Sequence, residues 1–174
     1  VYFSLNKNDD AVNALEKAIS INNCNSAANC NLGVVFVSLG KYEEAIQLFN
    51  TAININPLYA EAYFNLGTLY RKLKRLNEAE LSLNKAIEIN KNYAAAYCNL
   101  GLVLKDKFEF VKAEKYLRKV LTLKNNDAKI HHNLALILRE KGELQESETF
   151  LYKALDINPE LCESYYLLST FRTS

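Results

Sequence analysis

The sequence predicts an all-α solenoid in which antiparallel helix pairs stack side by side. Three observations lead to this prediction. Columns of like residues recur with a period of 34 residues, apolar residues within each period follow helical spacing, and glycine or proline separates the apolar stretches. The recurring columns are Ala11, Ala45, Ala79 and Ala113; Ala18, Ala52 and Ala86; and Leu32, Leu66, Leu100, Leu134 and Leu168.

Each period contains two amphipathic stretches. Ala62, Leu66, Leu69 and Leu73 follow the spacing i, i+4, i+7, i+11, which puts them on one stripe of a helix. A second stripe of the same kind, within residues 79–87, follows a short polar break. We therefore expect every period to form a first helix, a turn and a second helix.

Small residues and breakers occupy the positions that a stacked hairpin requires. Gly67 and Ala79 allow the two backbones of a hairpin to approach closely. Pro57 follows a second helix, since proline disfavours helical backbone in the residue before it. Gly40 and Gly142 occupy turns between paired helices, where glycine supplies a positive φ.

The segment 60–93 resembles the tetratricopeptide repeat (TPR), a 34-residue helical hairpin. The resemblance covers essentially the whole chain and implies a right-handed superhelix. It has departures, because Asn29 and His131 replace the first aromatic residue of their repeats, and Lys74 and Phe108 stand where the turn usually has glycine. The matching columns of the segment are Tyr63, Leu66, Gly67, Tyr70, Ala79, Leu83 and Ala86.

The period divides the chain into one array, residues 1–174, that we expect to be part of a longer protein. It begins with Val1 and contains no methionine. The last segment supplies a first helix without its partner helix, and its apolar residues predict self-association through the terminal helices. The predicted units are a partial repeat at 1–25, full repeats at 26–59, 60–93, 94–127 and 128–161, and a further first helix at 162–174.

Four asparagines recur in one column of the first helices. An asparagine amide both donates and accepts hydrogen bonds, so a row of them can hold an extended peptide backbone of any sequence. The row is similar to the asparagine ladder in the superhelical TPR domain of O-GlcNAc transferases, and that resemblance implies a place on the concave face. The alternative is a local structural role in each repeat. The four residues are Asn31, Asn65, Asn99 and Asn133.

Neighbouring columns are expected to share the concave face. Thr68 is a further candidate peptide-binding residue. One neighbouring column would supply apolar or aromatic side-chain pockets, and it consists of Cys30, Phe64, Cys98, His132 and Tyr166. A basic row would favour acidic or phosphorylated ligands, unless it is a solvated row offset by the adjacent Asp106 and Glu140. The basic row consists of Arg71, Lys105 and Arg139.

Composition and motifs give no indication of catalysis. The net charge of +1 provides no reason to expect nucleic acid or a membrane as a partner. The adjacent histidines, His131 and His132, point about 100° apart on a helix and cannot share a metal ion, and His131 is expected to pack in the core. We predict no cofactor, no metal and no enzyme activity. The four cysteines lack metal-ligand spacing and indicate free thiols in the cytoplasm.

The sequence therefore favours a scaffold that binds a peptide or partner protein in its concave groove. Two alternatives stay open. Similar repeat arrays precede the catalytic domains of glycosyltransferases and sulfotransferase-type enzymes, so the chain could be the substrate-recognition arm of a larger transferase. It could also be a structural element that self-assembles through its terminal helices.

Overall fold

The computed structural model describes the backbone of residues 2–124 and 126–171, and side chains from residue 9 onward within these ranges. The described residues form ten α-helices and no strand, which confirms the predicted all-α class. The helices are α1 (Tyr2–Ile21), α2 (Ser26–Ser38), α3 (Tyr42–Ile55), α4 (Ala60–Lys72), α5 (Leu76–Ile89), α6 (Ala94–Asp106), α7 (Phe110–Leu123), α8 (Ala128–Glu140), α9 (Leu144–Ile157) and α10 (Cys162–Phe171).

The helices pair as the 34-residue period predicts. Helix α2 packs on α3, α4 on α5, α6 on α7 and α8 on α9, so each full repeat is one hairpin. First helices have 13 residues and second helices 14 in all four hairpins. The second helices α3, α5 and α9 carry acidic side chains in the first turn, such as Glu43 and Glu78, where the helix dipole favours negative charge.

The chain divides into two compact units, residues 1–91 and 92–174. The first unit contains α1 to α5, and its core includes Phe49, Leu66 and Leu69. The second unit contains α6 to α10, and its core includes Leu117, Leu134 and Leu151, which are fully buried. Burial of such side chains contributes about 1.5–3 kcal/mol each, which makes the hairpin interfaces the main source of stability. A single continuous array over all repeats stays a prediction.

Glycines bring the paired helices into close contact. A Cβ atom on Gly67 would lie 2.7 Å from Cγ of Leu83 and 3.1 Å from the carbonyl oxygen of Ala79. A Cβ atom on Gly101 would lie 2.8 Å from Cδ2 of Leu117. These distances confirm that the small residues of the repeat are needed for packing between the two helices of a hairpin.

The four turns between paired helices share one backbone conformation. Gly40 and Gly142 have φ angles of +78° and +82°, as the sequence predicts. Lys74 and Phe108, which replace glycine in the other two turns, also have positive φ, at 61° and 62°. A side chain in this region is strained, so these turns keep the repeat geometry at a cost in stability.

The fourth full repeat has a larger residue in two columns that hold glycine and alanine in the other full repeats. Ala135 occupies the glycine column and Ser147 the alanine column. The buried hydroxyl of Ser147 donates a hydrogen bond to the carbonyl oxygen of Ala135 at 2.7 Å. Nearby, His131 is buried and its ring centroid lies 5.8 Å from that of Phe150, which confirms its predicted core role.

Within the described ranges, none of the helices has the length and apolar character needed to cross a bilayer.

Candidate functional site

First helices of successive repeats lie closer together than second helices do. In the first unit, α2 and α4 contact each other more closely than α3 and α5. In the second unit, α6 and α8 contact each other more closely than α7 and α9. Within each unit the first helices therefore form the inner side of the stack. Residues of the first helices that face away from the second helices line a shared surface.

Two asparagines of the predicted row belong to the first helices of the first unit. Asn31 of α2 is exposed and Asn65 of α4 is partly exposed. The Nδ2 atom of Asn65 donates a hydrogen bond to Sγ of Cys30, at 3.4 Å. Because Nδ2 carries two hydrogens, this bond orients the amide and uses only one of its two donors.

Cys30, which accepts the hydrogen bond from Asn65, lies in the core beneath the surface. Its side chain is fully buried, and burial raises the pKa of its thiol. Tyr59 also hydrogen-bonds Cys30, and the Tyr59 hydroxyl donates to a carboxylate oxygen of Glu61 at 3.2 Å. Burial, together with the charges of Cys30 and Glu61, raises the pKa of Tyr59. Both groups therefore stay protonated near neutral pH and act as hydrogen-bonding groups.

A groove opens beside Asn65, between α2 and α4. It has a volume of about 140 Å³. The exposed Thr68, a predicted site residue, lies on its wall and donates from its hydroxyl to the carbonyl oxygen of Phe64 at 2.8 Å. Phe64 is partly exposed on the same helix. The groove is lined by Val34, Val37, Phe49, Asn65, Thr68, Leu69 and Lys72.

Sequence reasoning missed Val34, Val37 and Lys72 as site residues. Their signal is the helical spacing from the asparagines, since Val34 follows Asn31 by three positions and Lys72 follows Asn65 by seven. This spacing identifies Val34 and Lys72 as neighbours of the asparagines, but the spacing alone does not show that they line one groove.

The second unit presents Asn99 and Asn133, both partly exposed, on α6 and α8. Asn99 borders a cavity of about 240 Å³ that is also lined by Val120 of α7, Ile130 of α8, and Lys124 and Asp127 from the connection between these helices. This cavity differs from the groove of the first unit because two charged side chains line it.

His132 is half-buried on α8, and the structure gives its ring a local partner. Its Nδ1 atom lies 2.9 Å from Oγ of Ser164 on α10. Burial lowers the pKa of His132, the charge of Lys105 lowers it further, and the charge of Glu163 opposes both. The ring is therefore mainly neutral at pH 7 and offers a hydrogen-bonding group, not a fixed charge.

The predicted basic row has local carboxylate partners in the second unit. The ammonium of Lys105 lies 4.0 Å from a carboxylate oxygen of Asp106, and a guanidinium nitrogen of Arg139 lies 3.1 Å from Glu140. Arg71, in the first unit, is partly exposed. The contacts of Lys105 and Arg139 favour the alternative in which the row is a solvated, charge-balanced surface.

Among the described residues, no group of three or more histidine, cysteine, aspartate or glutamate side chains could hold a metal ion. The four cysteines form no disulfide.

Comparison with known proteins agrees with the repeat geometry. No curated protein sequence matches the chain. The crystal structure of MamA superposes with a TM-score of 0.81 at 26% identity, over 92% of this chain and 94% of MamA. TTC0263, a thermophilic TPR protein of Thermus thermophilus, superposes with a TM-score of 0.75 at 26% identity, over 97% of this chain and 92% of that one. YrrB, described as a TPR protein with an unusual peptide-binding site, superposes with a TM-score of 0.80 at 23% identity, over 95% and 86% of the two chains.

Residues 1–173 match the family described as Cilia and flagella-associated protein 70 C-terminal domain. The match spans all four hairpins and confirms the TPR resemblance. The chain therefore belongs to the Cilia and flagella-associated protein 70 C-terminal domain family of tetratricopeptide repeats.

Proposed function

We propose that this chain is a protein-interaction scaffold that binds an extended peptide segment of a partner protein along its first helices. The observation that supports the proposal is the hydrogen bond that orients the Asn65 amide against Cys30 across two successive first helices, with Asn31 exposed on α2. An oriented amide can bind a peptide backbone with less loss of side-chain entropy than a mobile one. Asn99 and Asn133 would act in the same way in the second unit.

Hydrogen bonds from the asparagines alone contribute too little free energy to account for tight peptide binding. A hydrogen bond contributes about 0.5–1.5 kcal/mol net, whereas micromolar affinity requires about 8 kcal/mol. The asparagines would therefore set the register of the peptide backbone, while side-chain contacts supply most of the affinity. The apolar groove beside Asn65 is a surface that could supply such contacts.

Alanine variants with a matched control test this proposal. A random dodecapeptide library is selected on the wild-type chain, and the affinity of the most enriched peptide is measured by fluorescence anisotropy. We expect the double variant Asn31→Ala and Asn65→Ala to weaken binding by about tenfold. The double variant Asn50→Ala and Asn84→Ala makes the same chemical change on exposed positions of second helices and should leave binding unchanged. Equal affinity in the wild type and the first double variant would contradict the proposal.

The family description gives the setting in which to look for the partner. We infer that the chain acts in cilia or flagella, inside the reducing cytoplasm that its free cysteines favour. Immunofluorescence of the protein in ciliated cells tests this, and signal confined to a secretory compartment would contradict it.

A second function, self-association, is favoured by the surface of α10. Tyr165 and Tyr166 are exposed, and a cavity of about 560 Å³ lies beside Leu155 and Leu168. Light scattering over a range of protein concentrations tests self-association. A rise in mass with concentration that Tyr165→Glu abolishes would support it, and a constant monomer mass would contradict it.

A further inference from the structure

The groove between α2 and α4 combines an apolar floor with a polar end. Its floor is the buried ring of Phe49 and the side chain of Leu69, and Val34 and Val37 form its sides. Its volume of about 140 Å³ is close to that of the ~150 Å³ apolar cavity that holds benzene in a known engineered protein. The groove thus has space for one aliphatic side chain.

We propose that this groove is a side-chain subsite for an acidic peptide that carries an aliphatic residue two positions from an aspartate or glutamate. The subsite rests on the proposed function, because it assumes that the first helices bind an extended peptide. It adds the chemistry of the ligand, which the asparagines alone leave open.

Side-chain size explains why the groove is open in this hairpin pair. Its walls carry Val34 and Thr68, both of which are short and β-branched. The same positions in the second unit are occupied by Leu102 and Leu136, which are longer. Leucine at both positions would therefore fill the groove of the first unit, and replacing Val34 and Thr68 with leucine provides a test.

Charge at one end of the groove favours a carboxylate. The exposed ammonium of Lys72 lies 4.7 Å from the ring centroid of Tyr42, and it forms no ion pair with any residue in the described ranges. The turn that follows adds Lys74 and Arg75, and of these Arg75 is already paired with Glu78 at 2.9 Å. A cation held over an aromatic ring next to other cations attracts an acidic ligand group.

Charge is reversed at the corresponding position of the second unit, which is Glu140. The residues that correspond to Thr68 and Lys72 in the second unit differ from them in size and in charge. The two units would therefore select different peptides. The aliphatic and acidic preference is therefore assigned to the first unit.

Helix and strand geometry set the spacing of the two ligand residues. Thr68 and Lys72 are four residues apart on α4, which corresponds to a rise of about 6 Å. Residues i and i+2 of an extended peptide lie on the same face, about 6.8 Å apart. In a peptide segment that runs parallel to α4, an aliphatic side chain in the groove therefore places the side chain two residues away next to Lys72, while Asn65 lies three positions before Thr68, on the side away from Lys72.

The test uses the dodecapeptide library selected on the wild-type chain. We expect enrichment of peptides with an aliphatic residue two positions from an aspartate or glutamate. The double variant Val34→Leu and Thr68→Leu fills the groove with the residues of the second unit and should weaken binding of the most enriched peptide by about tenfold or more. Lys72→Glu should produce a comparable loss that diminishes in high salt.

Two control variants separate these effects from general damage. Thr51→Leu makes the same enlargement as Thr68→Leu on an exposed position of α3 and should leave binding within about twofold of wild type. Lys91→Glu changes the net charge as Lys72→Glu does, but lies past the far end of α5, about 20 Å along the helix from the turn that follows Lys72. It should have no effect on binding, and circular dichroism melting verifies that every variant is folded.

The outcomes distinguish the subsite from the scaffold. Peptides that lose binding to the Asn31→Ala and Asn65→Ala variant, yet bind the groove-filling and Lys72→Glu variants as wild type, would overturn the subsite and leave the scaffold intact. Enriched peptides without acidic residues would also overturn it. A library that yields no enriched peptide would overturn both proposals.

Discussion

The Asn65 amide donates a hydrogen bond to the Cys30 thiol across the first helices of two successive repeats, at 3.4 Å. The contact joins an exposed surface to the core, because Cys30 is fully buried and Asn65 is partly exposed. The same two residue types recur at Cys98 and Asn133, 68 positions further along the chain. In the first unit this hydrogen bond orients the Asn65 amide.

Thiol reactivity tests the burial of Cys30. Cys24 and Cys162 are exposed, whereas Cys30 is buried and its thiol pKa is raised by burial. A raised pKa reduces the fraction of reactive thiolate at any given pH. We expect iodoacetamide to label Cys24 and Cys162 in the native protein and Cys30 only after unfolding, as read by mass spectrometry of the peptides. Rapid labelling of Cys30 in the native protein would show that its thiol is at the surface, which would contradict its role in orienting the Asn65 amide.

The turns with positive φ predict gains in stability. Lys74→Gly and Phe108→Gly should each raise the free energy of unfolding by about 1 kcal/mol, because glycine adopts positive φ without the strain of a Cβ atom. The reverse changes, Gly40→Ala and Gly142→Ala, should lower it by a similar amount, although a Cβ atom would meet nothing within 4 Å there. Urea unfolding measures all four, and stabilities that do not depend on the turn residue would contradict the assigned backbone.

Close packing predicts the opposite result for a glycine inside a helix. Gly67→Ala places a methyl group 2.7 Å from Cγ of Leu83, so the hairpin must open or Leu83 must move. Overpacking of this kind costs about 1–3 kcal/mol, which should outweigh the better helix propensity of alanine. Thermal unfolding followed by circular dichroism gives the sign. An increase in the unfolding temperature would show that α4 and α5 have more space than the structure indicates.

A charge network predicts the pH dependence of the second unit. Glu114 is only 15% exposed and accepts hydrogen bonds from Arg118 of its own helix and from Lys141 of the following turn. Burial would raise the pKa of Glu114, but these hydrogen bonds outweigh it and lower the pKa. A carboxylate with a lowered folded-state pKa stabilises the protein above its unfolded pKa and loses that contribution as the pH falls through the folded value.

Glu114→Gln tests this network. The variant should be less stable than wild type near pH 7 by about 1–2 kcal/mol, and the difference should shrink as the pH falls through the lowered folded-state pKa of Glu114. Glu148→Gln, an exchange on the second helix of the following repeat, is the control and should show little change at either pH. A difference that persists at low pH would assign Glu114 a packing role instead of an electrostatic one.

Periodicity predicted the hairpins well because the same packing problem recurs in each one. Columns such as Gly67 and Ala79 must be small wherever two backbones approach closely, so the constraint is visible in the residues themselves. The turns were predicted for the same reason, and positive φ is retained even where Lys74 replaces glycine. The identity of a turn residue therefore carries less information than its place in the period.

The groove and the charge network could not be predicted, because both depend on distances between repeats. Lys72 becomes a candidate ligand residue only when Val34, on the preceding first helix, is known to face the same groove. The contact of Lys141 with Glu114 joins residues 27 positions apart, which is not a multiple of the period. Neither relationship leaves a repeated column that could be read from the sequence.

Side-chain NMR of asparagine is the most direct test of the central claim, that inner-side asparagines bind a peptide backbone. The chain is labelled with ¹⁵N at asparagine and titrated with the peptide most enriched from the dodecapeptide library. We expect the side-chain amide signals of Asn31 and Asn65 to shift in proportion to the bound fraction, while those of Asn50 and Asn84 on the second helices stay in place. Shifts confined to Asn50 and Asn84 would show that the peptide binds another face and would contradict the claim.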